Sequence, residues 1–109
     1  YGYIEKINNF TLQAIQNHKY SHVLDNIGAK DISSHVNFRE LINIAKINNL
    51  YVEEFCTQRE FLIKYGITKR KKILSKTNDA VKINLEVDKL INKNDMGNIF
   101  KCLVVSKFK

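Results

Sequence analysis

Apolar positions recur along this chain with two different periods, which sort it into helical and extended stretches. Residues 31–67, DISSHVNFRELINIAKINNLYVEEFCTQREFLIKYGI, organise the rest. Phe38, Leu41, Ile42 and Ala45 fall on one face at helical spacing. Asn37 stands where its side chain can accept from the free N–H groups of a first helical turn, and Glu40, three residues on, can reach back. Thr57 and Glu60 repeat that device for a second helix. Asn48 and Asn49 tolerate the left-handed turn that ends a helix. Between the helices, residues 50–55 are rich in aromatic and β-branched side chains and read as a strand. A helix leading directly into a strand predicts an α/β sheet.

The remaining pattern extends that reading. It predicts strands near 10–16, 50–56 and 99–106, and helices near 38–49, 58–66, 68–76 and 80–92. Residues 1–4 look like a strand end turning into a loop, and residues 6–9 like a polar turn. Residues 18–30 are polar and irregular, with Gly28 as a turn residue. Gly66 closes the second helix, Thr68 caps a third and Asp79 caps a fourth. Ala80, Ile83, Val87, Leu90 and Ile91 form the apolar stripe of that fourth helix. Residues 92–97 read as a loop. Residues 99–106, IFKCLVVS, are nearly all apolar, as in a strand buried on both faces. The chain has no proline and no internal repeat.

Composition then bounds the function. A length of 109 residues with 44% hydrophobic content fits one domain or part of one. No apolar run is long enough to span a bilayer, so no membrane partner is expected. The first residue is Tyr1, which suggests a removed leader or a piece of a longer chain. The net charge of +7 invites a nucleic-acid reading. However, 15 of the 18 basic residues are lysine, alongside abundant asparagine and isoleucine, the bias of an AT-rich genome. The dense run at residues 69–72 fits the solvated side of a helix, so nucleic acid is not the expected partner.

Candidate chemistry is sparse. Cys56 and Cys102 lie far apart in apolar segments and read as buried, reduced thiols of a cytoplasmic protein. Only His18 and His22 share a close spacing, in a stretch unlike a helix, so no metal site is expected. No glycine-rich phosphate loop, catalytic triad or paired-carboxylate arrangement is present. Glu40, Glu60 and Asp79 have capping roles, and Glu53 and Glu54 fit the solvent side of a strand.

Several separated words nevertheless occur together: YGY at 1–3, TLQA at 11–14, NHKY at 17–20, DISSHVNF at 31–38, TQREFLIKYGI at 57–67 and MGNIFKCLVVS at 96–106. In this order and spacing the chain resembles the MidA-like S-adenosylmethionine-dependent methyltransferases, whose mitochondrial relatives assist assembly of respiratory complex I. The resemblance covers essentially the whole chain. It departs from the family pattern at Ile27, where proline usually precedes Gly28, and at Asn37, where aspartate is more common and supplies a charge.

The resemblance implies the C-terminal third of a class I, Rossmann-like methyltransferase, a single partial domain over 1–109 with no internal boundary. Residues 38–49 would follow the fifth strand, residues 50–55 form the sixth, and residues 100–106 form the antiparallel seventh. The implied reaction is methylation of arginine on a protein, with S-adenosylmethionine as donor. The glycine-rich turn and ribose-binding acid that hold this donor are not in these residues, so the chain alone is expected not to bind it. The implied partners are a protein substrate and an upstream methyltransferase segment, with a homo-oligomer as a further expected assembly. The implied location is the bacterial cytoplasm, or the mitochondrial matrix for eukaryotic relatives.

By placement after strand ends, Tyr1, Gly2 and Tyr3 are candidates to line the cofactor pocket. Asp31 and His35, in the loop before a helix, are candidates to orient or deprotonate a substrate group. Gln58 is a candidate substrate contact. Alternative readings are an inactive fragment of a split gene and a small basic interaction domain.

Overall fold

The computed structural model describes Gly2 and Tyr3, of which only the backbone is considered, and residues 11–109. Among the described residues seven strands and five helices follow in order: β1 (Gly2–Tyr3), β2 (Gln13–Gln16), β3 (Lys19–Ser21), β4 (Asp31–Ser33), β5 (Val36–Asn37), α1 (Phe38–Ile47), β6 (Tyr51–Thr57), α2 (Gln58–Lys64), α3 (Ile67–Leu74), α4 (Ala80–Ile91), α5 (Met96–Ile99) and β7 (Lys101–Ser106). The mixed α/β class expected from the sequence is the class observed. The turn expected at residues 6–9 lies outside the described residues.

The chain divides into two compact units, Tyr1–Leu41 and Ile42–Lys109, with the division falling inside α1. In the first unit β1 runs parallel to β5, and β2 sits between β3 and β4 in an antiparallel sheet. Ala14, at the centre of that sheet, is buried. Residues 18–30 are therefore not wholly irregular, because β3 returns against β2 through a tight turn. Asn17 and His18 both take positive φ in that turn, and both are open to solvent. Such a conformation is unusual outside glycine, and asparagine is among the residues most tolerant of it.

Local signals account for α1 and for most of the second unit. The Asn37 carboxamide oxygen accepts from the Glu40 N–H at 3.2 Å, and the Asn37 side-chain nitrogen donates to the Glu40 carboxylate at 3.5 Å. Asn49 has a φ of +57°, and the Leu50 N–H donates to Ala45 carbonyl at 2.9 Å, closing α1. Thr57 and Glu60 form a complete capping box on α2. Asp79 accepts from the N–H groups of Val81 and Lys82 to cap α4. The cap expected at Thr68 is not used. Gly66, at a φ of +92°, ends one helix and starts the next, so α3 begins one residue earlier without a side-chain cap.

Two expectations are corrected in this unit. The loop expected over 92–97 contains the start of α5, where the buried Gly97 packs against the backbone end of α4. β7 is half-buried rather than enclosed on both faces. Its pairing among the described residues is with β6, antiparallel, in register from Tyr51↔Ser106 to Thr57↔Lys101. The ladder slips by one between Val52 and Glu54, leaving Glu53 as the extra residue of a β-bulge.

Candidate functional site

The candidate residues of the first unit converge on the segment from 31 to 37. Asp31 opens β4 opposite Ile15 and is exposed. The Gln13 side-chain nitrogen donates to the Ser33 hydroxyl at 3.2 Å, fixing the other end of that strand. The His35 backbone N–H donates to Thr11 Oγ1 at 3.1 Å. Immediately after it, Val36 and Asn37 take Gly2 and Tyr3 as parallel partners. The ladder thus brings Gly2 and Tyr3 beside the His35–Asn37 stretch, where the chain turns into α1. It leaves Asp31 four residues away along the chain, a reach of at most roughly 13 Å. Tyr1 lies outside the described residues. A ladder bond, a side-chain bond and a helix cap hold this short segment at successive positions, which is how a strand-to-helix junction keeps a functional group in place.

Gln58 belongs to the second unit. Its side-chain nitrogen donates to the Leu90 carbonyl at 2.9 Å, and the neighbouring Arg59 guanidinium donates to the Ile91 carbonyl at 2.7 Å. Those carbonyls are the unsatisfied acceptors in the last turn of α4, where a cation is also favoured by the helix dipole. The amide nitrogen of Gln58 therefore ties α2 to α4.

A polar cluster in the same unit escaped the sequence reading. Glu54 is not on a solvated strand face: its side chain is 15% exposed. It accepts from Lys64 Nζ at 3.0 Å, Tyr65 Oη at 3.1 Å and Cys56 Sγ at 3.5 Å. The Lys64 ammonium, helped by the Tyr65 and Cys56 donors, holds the carboxyl below its usual range against an opposing effect of burial. A carboxylate so paired stays ionised and is a poor proton acceptor near neutral pH. The bulge explains its orientation. Val52 pairs with Val105 and Glu54 with Val104, adjacent residues on β7, so the two face opposite sides of the ladder. Periodicity alone would have placed Val52 and Glu54 on one face.

The basic run at residues 69–72 lies on α3. Lys69, Arg70 and Lys72 are exposed, while Lys71 approaches Asp88 of α4 at 3.5 Å. A groove of about 470 Å³ between α2 and α3 is lined by Leu62, Tyr65, Ile67, Lys69, Arg70 and Ile73. It holds no acid or histidine that could serve as a base. Among the described residues no cluster of three or more His, Cys, Asp or Glu side chains is arranged to hold a metal ion. No helix there is long and apolar enough to cross a membrane.

Comparison with known proteins places this arrangement. Residues 1–56 match the model of a family described as "Putative S-adenosyl-L-methionine-dependent methyltransferase". The crystal structure of a superfamily member from Burkholderia thailandensis bound to S-adenosyl-homocysteine superimposes with a TM-score of 0.79 at 25% identity, covering 88% of this chain and 26% of that one. A native crystal structure of a protein of the same superfamily and organism superimposes with a TM-score of 0.71 at 24% identity, over 87% of this chain and 26% of its own, and shares the fold. The chain thus spans about a quarter of the length of these structures. No curated protein matches it. With the family model extending over residues 1–56 of 109, the chain belongs to this family of S-adenosyl-L-methionine-dependent methyltransferases.

Proposed function

We propose that the chain is the C-terminal portion of a class I methyltransferase that transfers a methyl group to an arginine side chain of a protein, in the service of respiratory complex I assembly. The observation that carries the methyl-transfer part of this reading is the superposition on a protein bound to S-adenosyl-homocysteine, the product left when S-adenosylmethionine gives up its methyl group. The order of words shared with MidA-like enzymes supports the arginine substrate and the complex I role. A bacterial cytoplasmic setting goes with the same resemblance.

The residues present make only part of a cofactor site. Open α/β folds hold such a ligand at a glycine-rich turn between a strand and the helix it feeds. Here β5 passes into α1 through Asn37, which is occupied as the helix cap. Gly28, Gly66 and Gly97 lie in a loop, between two helices and in a short helix. Among the described residues no glycine stands at a strand-to-helix turn. The cofactor's methionine and ribose ends are therefore assigned to an upstream methyltransferase segment, on the same or a separate chain, with 1–109 as one partial domain of the whole. Tyr1, Gly2 and Tyr3 would contribute one wall.

Within this proposal Asp31, an exposed carboxylate, meets the guanidinium of the substrate, for which two parallel N–H···O bonds are the favoured geometry. His35, beside Gly2 and Tyr3, orients or deprotonates the accepting nitrogen. The test is methyl transfer by the full-length protein from labelled S-adenosylmethionine to complex I subunits, with amino-acid analysis of the product. Labelled methylarginine is expected, and His35→Ala should lower kcat about a hundredfold, the usual contribution of a positioned acid or base. Label on lysine, or on no protein at all, overturns the assignment.

A further inference from the structure

Cys56 and Cys102 stand directly opposite each other in the antiparallel β6–β7 ladder, both of them free and of intermediate exposure. Pairs along such a ladder alternate between hydrogen-bonded and non-hydrogen-bonded kinds. The Gln58 N–H donates to the Phe100 carbonyl at 2.9 Å, two residues further on each strand, so the cysteine pair is of the hydrogen-bonded kind. The Cα atoms of such a pair lie about 5.5 Å apart, within the roughly 4.4–6.8 Å that a disulfide spans. The Cβ atoms of directly opposed residues lie about 4.5–5.5 Å apart, wider than the roughly 3.8 Å mean of a disulfide. A bond can therefore close without moving the strands out of register, but only by drawing the side chains together. Strain of that kind makes a disulfide readily reducible.

We propose that Cys56 and Cys102 form a reversible thiol–disulfide pair that staples β6 to β7. The proposal is independent of the methyl-transfer reading. The co-reactant is a low-molecular-weight disulfide such as oxidised glutathione. One protein thiolate attacks it, forming a mixed S–S bond and releasing one glutathione thiolate. The second protein thiolate then attacks the protein sulfur of that bond, forming the Cys56–Cys102 linkage and releasing the second glutathione. Two electrons pass from the protein to the small disulfide, and the two thiol protons go to solvent or to the released thiolates. The linkage encloses residues 57–101, which hold α2, α3, α4 and α5. Burial, reinforced by the nearby Glu54 carboxylate, pushes both thiols above their ordinary range. The folded protein therefore presents little thiolate at neutral pH, and the pair responds to sustained oxidation rather than to brief exposure.

The experiment places the native full-length protein in glutathione buffers of increasing oxidised fraction, alkylates the remaining thiols and maps the digest by mass spectrometry. Circular dichroism of each sample reports whether the protein is still folded. The expected result is a peptide linking Cys56 to Cys102 from folded protein, lost again when reduced glutathione is restored. In Cys56→Ser, a glutathione adduct should accumulate on Cys102 that the native protein does not retain. Linkage only in urea-unfolded samples overturns the proposal, as does an adduct on Cys102 that is equally abundant in the native protein and the variant.

Discussion

Three donors converge on Glu54, and their consequence is a dependence of stability on pH. Lys64 holds the Glu54 carboxyl below its ordinary value of 4.5, and the Thr57 backbone N–H does the same for Glu60. A carboxyl with a lowered folded-state pKa binds its proton more weakly folded than unfolded. It therefore contributes stability above the ordinary value and loses that contribution as pH falls through the lowered one. Melting temperature should hold from neutral to about pH 5 and then decline, with a shallower decline in Glu54→Gln. An equally steep decline in that variant would show that the cluster makes no contribution. Gly97 is a second sensitive position. A Cβ there would lie 2.4 Å from the Ile91 carbonyl oxygen and 2.6 Å from that of Asn92, both backbone atoms. Gly97→Ala should cost about 2 kcal/mol in urea unfolding, the range of core overpacking. An unchanged midpoint would mean that the α4–α5 turn has room to give. The contrast between these sites and the helix caps shows what a sequence reveals. Thr57 and Glu60 are legible because their partners lie three residues apart. Glu54 is not, because Lys64 and Tyr65 reach it from ten and eleven residues away, and the bulge at Glu53 breaks the alternation that would have placed it.

Among the elements, α1, α2, α3 and α4 lie within about two residues of their expected bounds, since α1, α2 and α4 carry side-chain caps and α3 starts at the glycine that ends α2. The stripe of α4 is only partly covered: Ile83, Val87, Leu90 and Ile91 are half-buried, while Ala80 is exposed. The elements that periodicity missed are β3, β4, β5 and α5, none longer than four residues. Such elements are too short to show a period, and they form because a neighbouring strand or helix end supplies their hydrogen bonds. Cys56 and Cys102 make the same point across 46 residues, because only the ladder register sets them side by side. The capping box is the best test of an element read from local signals. Thr57→Ala removes the acceptor for the Glu60 N–H and should lower stability by about 1 kcal/mol, read from the urea midpoint. No loss would mean that α2 is held by its packing and by the Gln58 and Arg59 bonds to α4 alone.

For the whole molecule the deciding feature is how little is buried. Among the described residues the apolar core consists of Ala14, Phe38 and Ala45. Large apolar side chains lie open in both units, including Ile27 at 85% and Val81 at 69% exposure. Under the proposed function, an upstream segment of the methyltransferase covers such side chains. The α/β class was legible in a helix leading directly into a strand, and the S-adenosyl-L-methionine-dependent methyltransferase family in several separated words that agree in order. The cofactor site was not: among the described residues no glycine stands at a strand-to-helix turn, the local signal by which such a site is read. The most direct test of the account is calorimetric titration of S-adenosyl-homocysteine into the full-length protein and, in parallel, into the 109-residue chain alone. Saturable binding by the full-length protein and none by the isolated chain is the predicted result. Micromolar binding by the isolated chain, or no binding by the full-length protein, would contradict it.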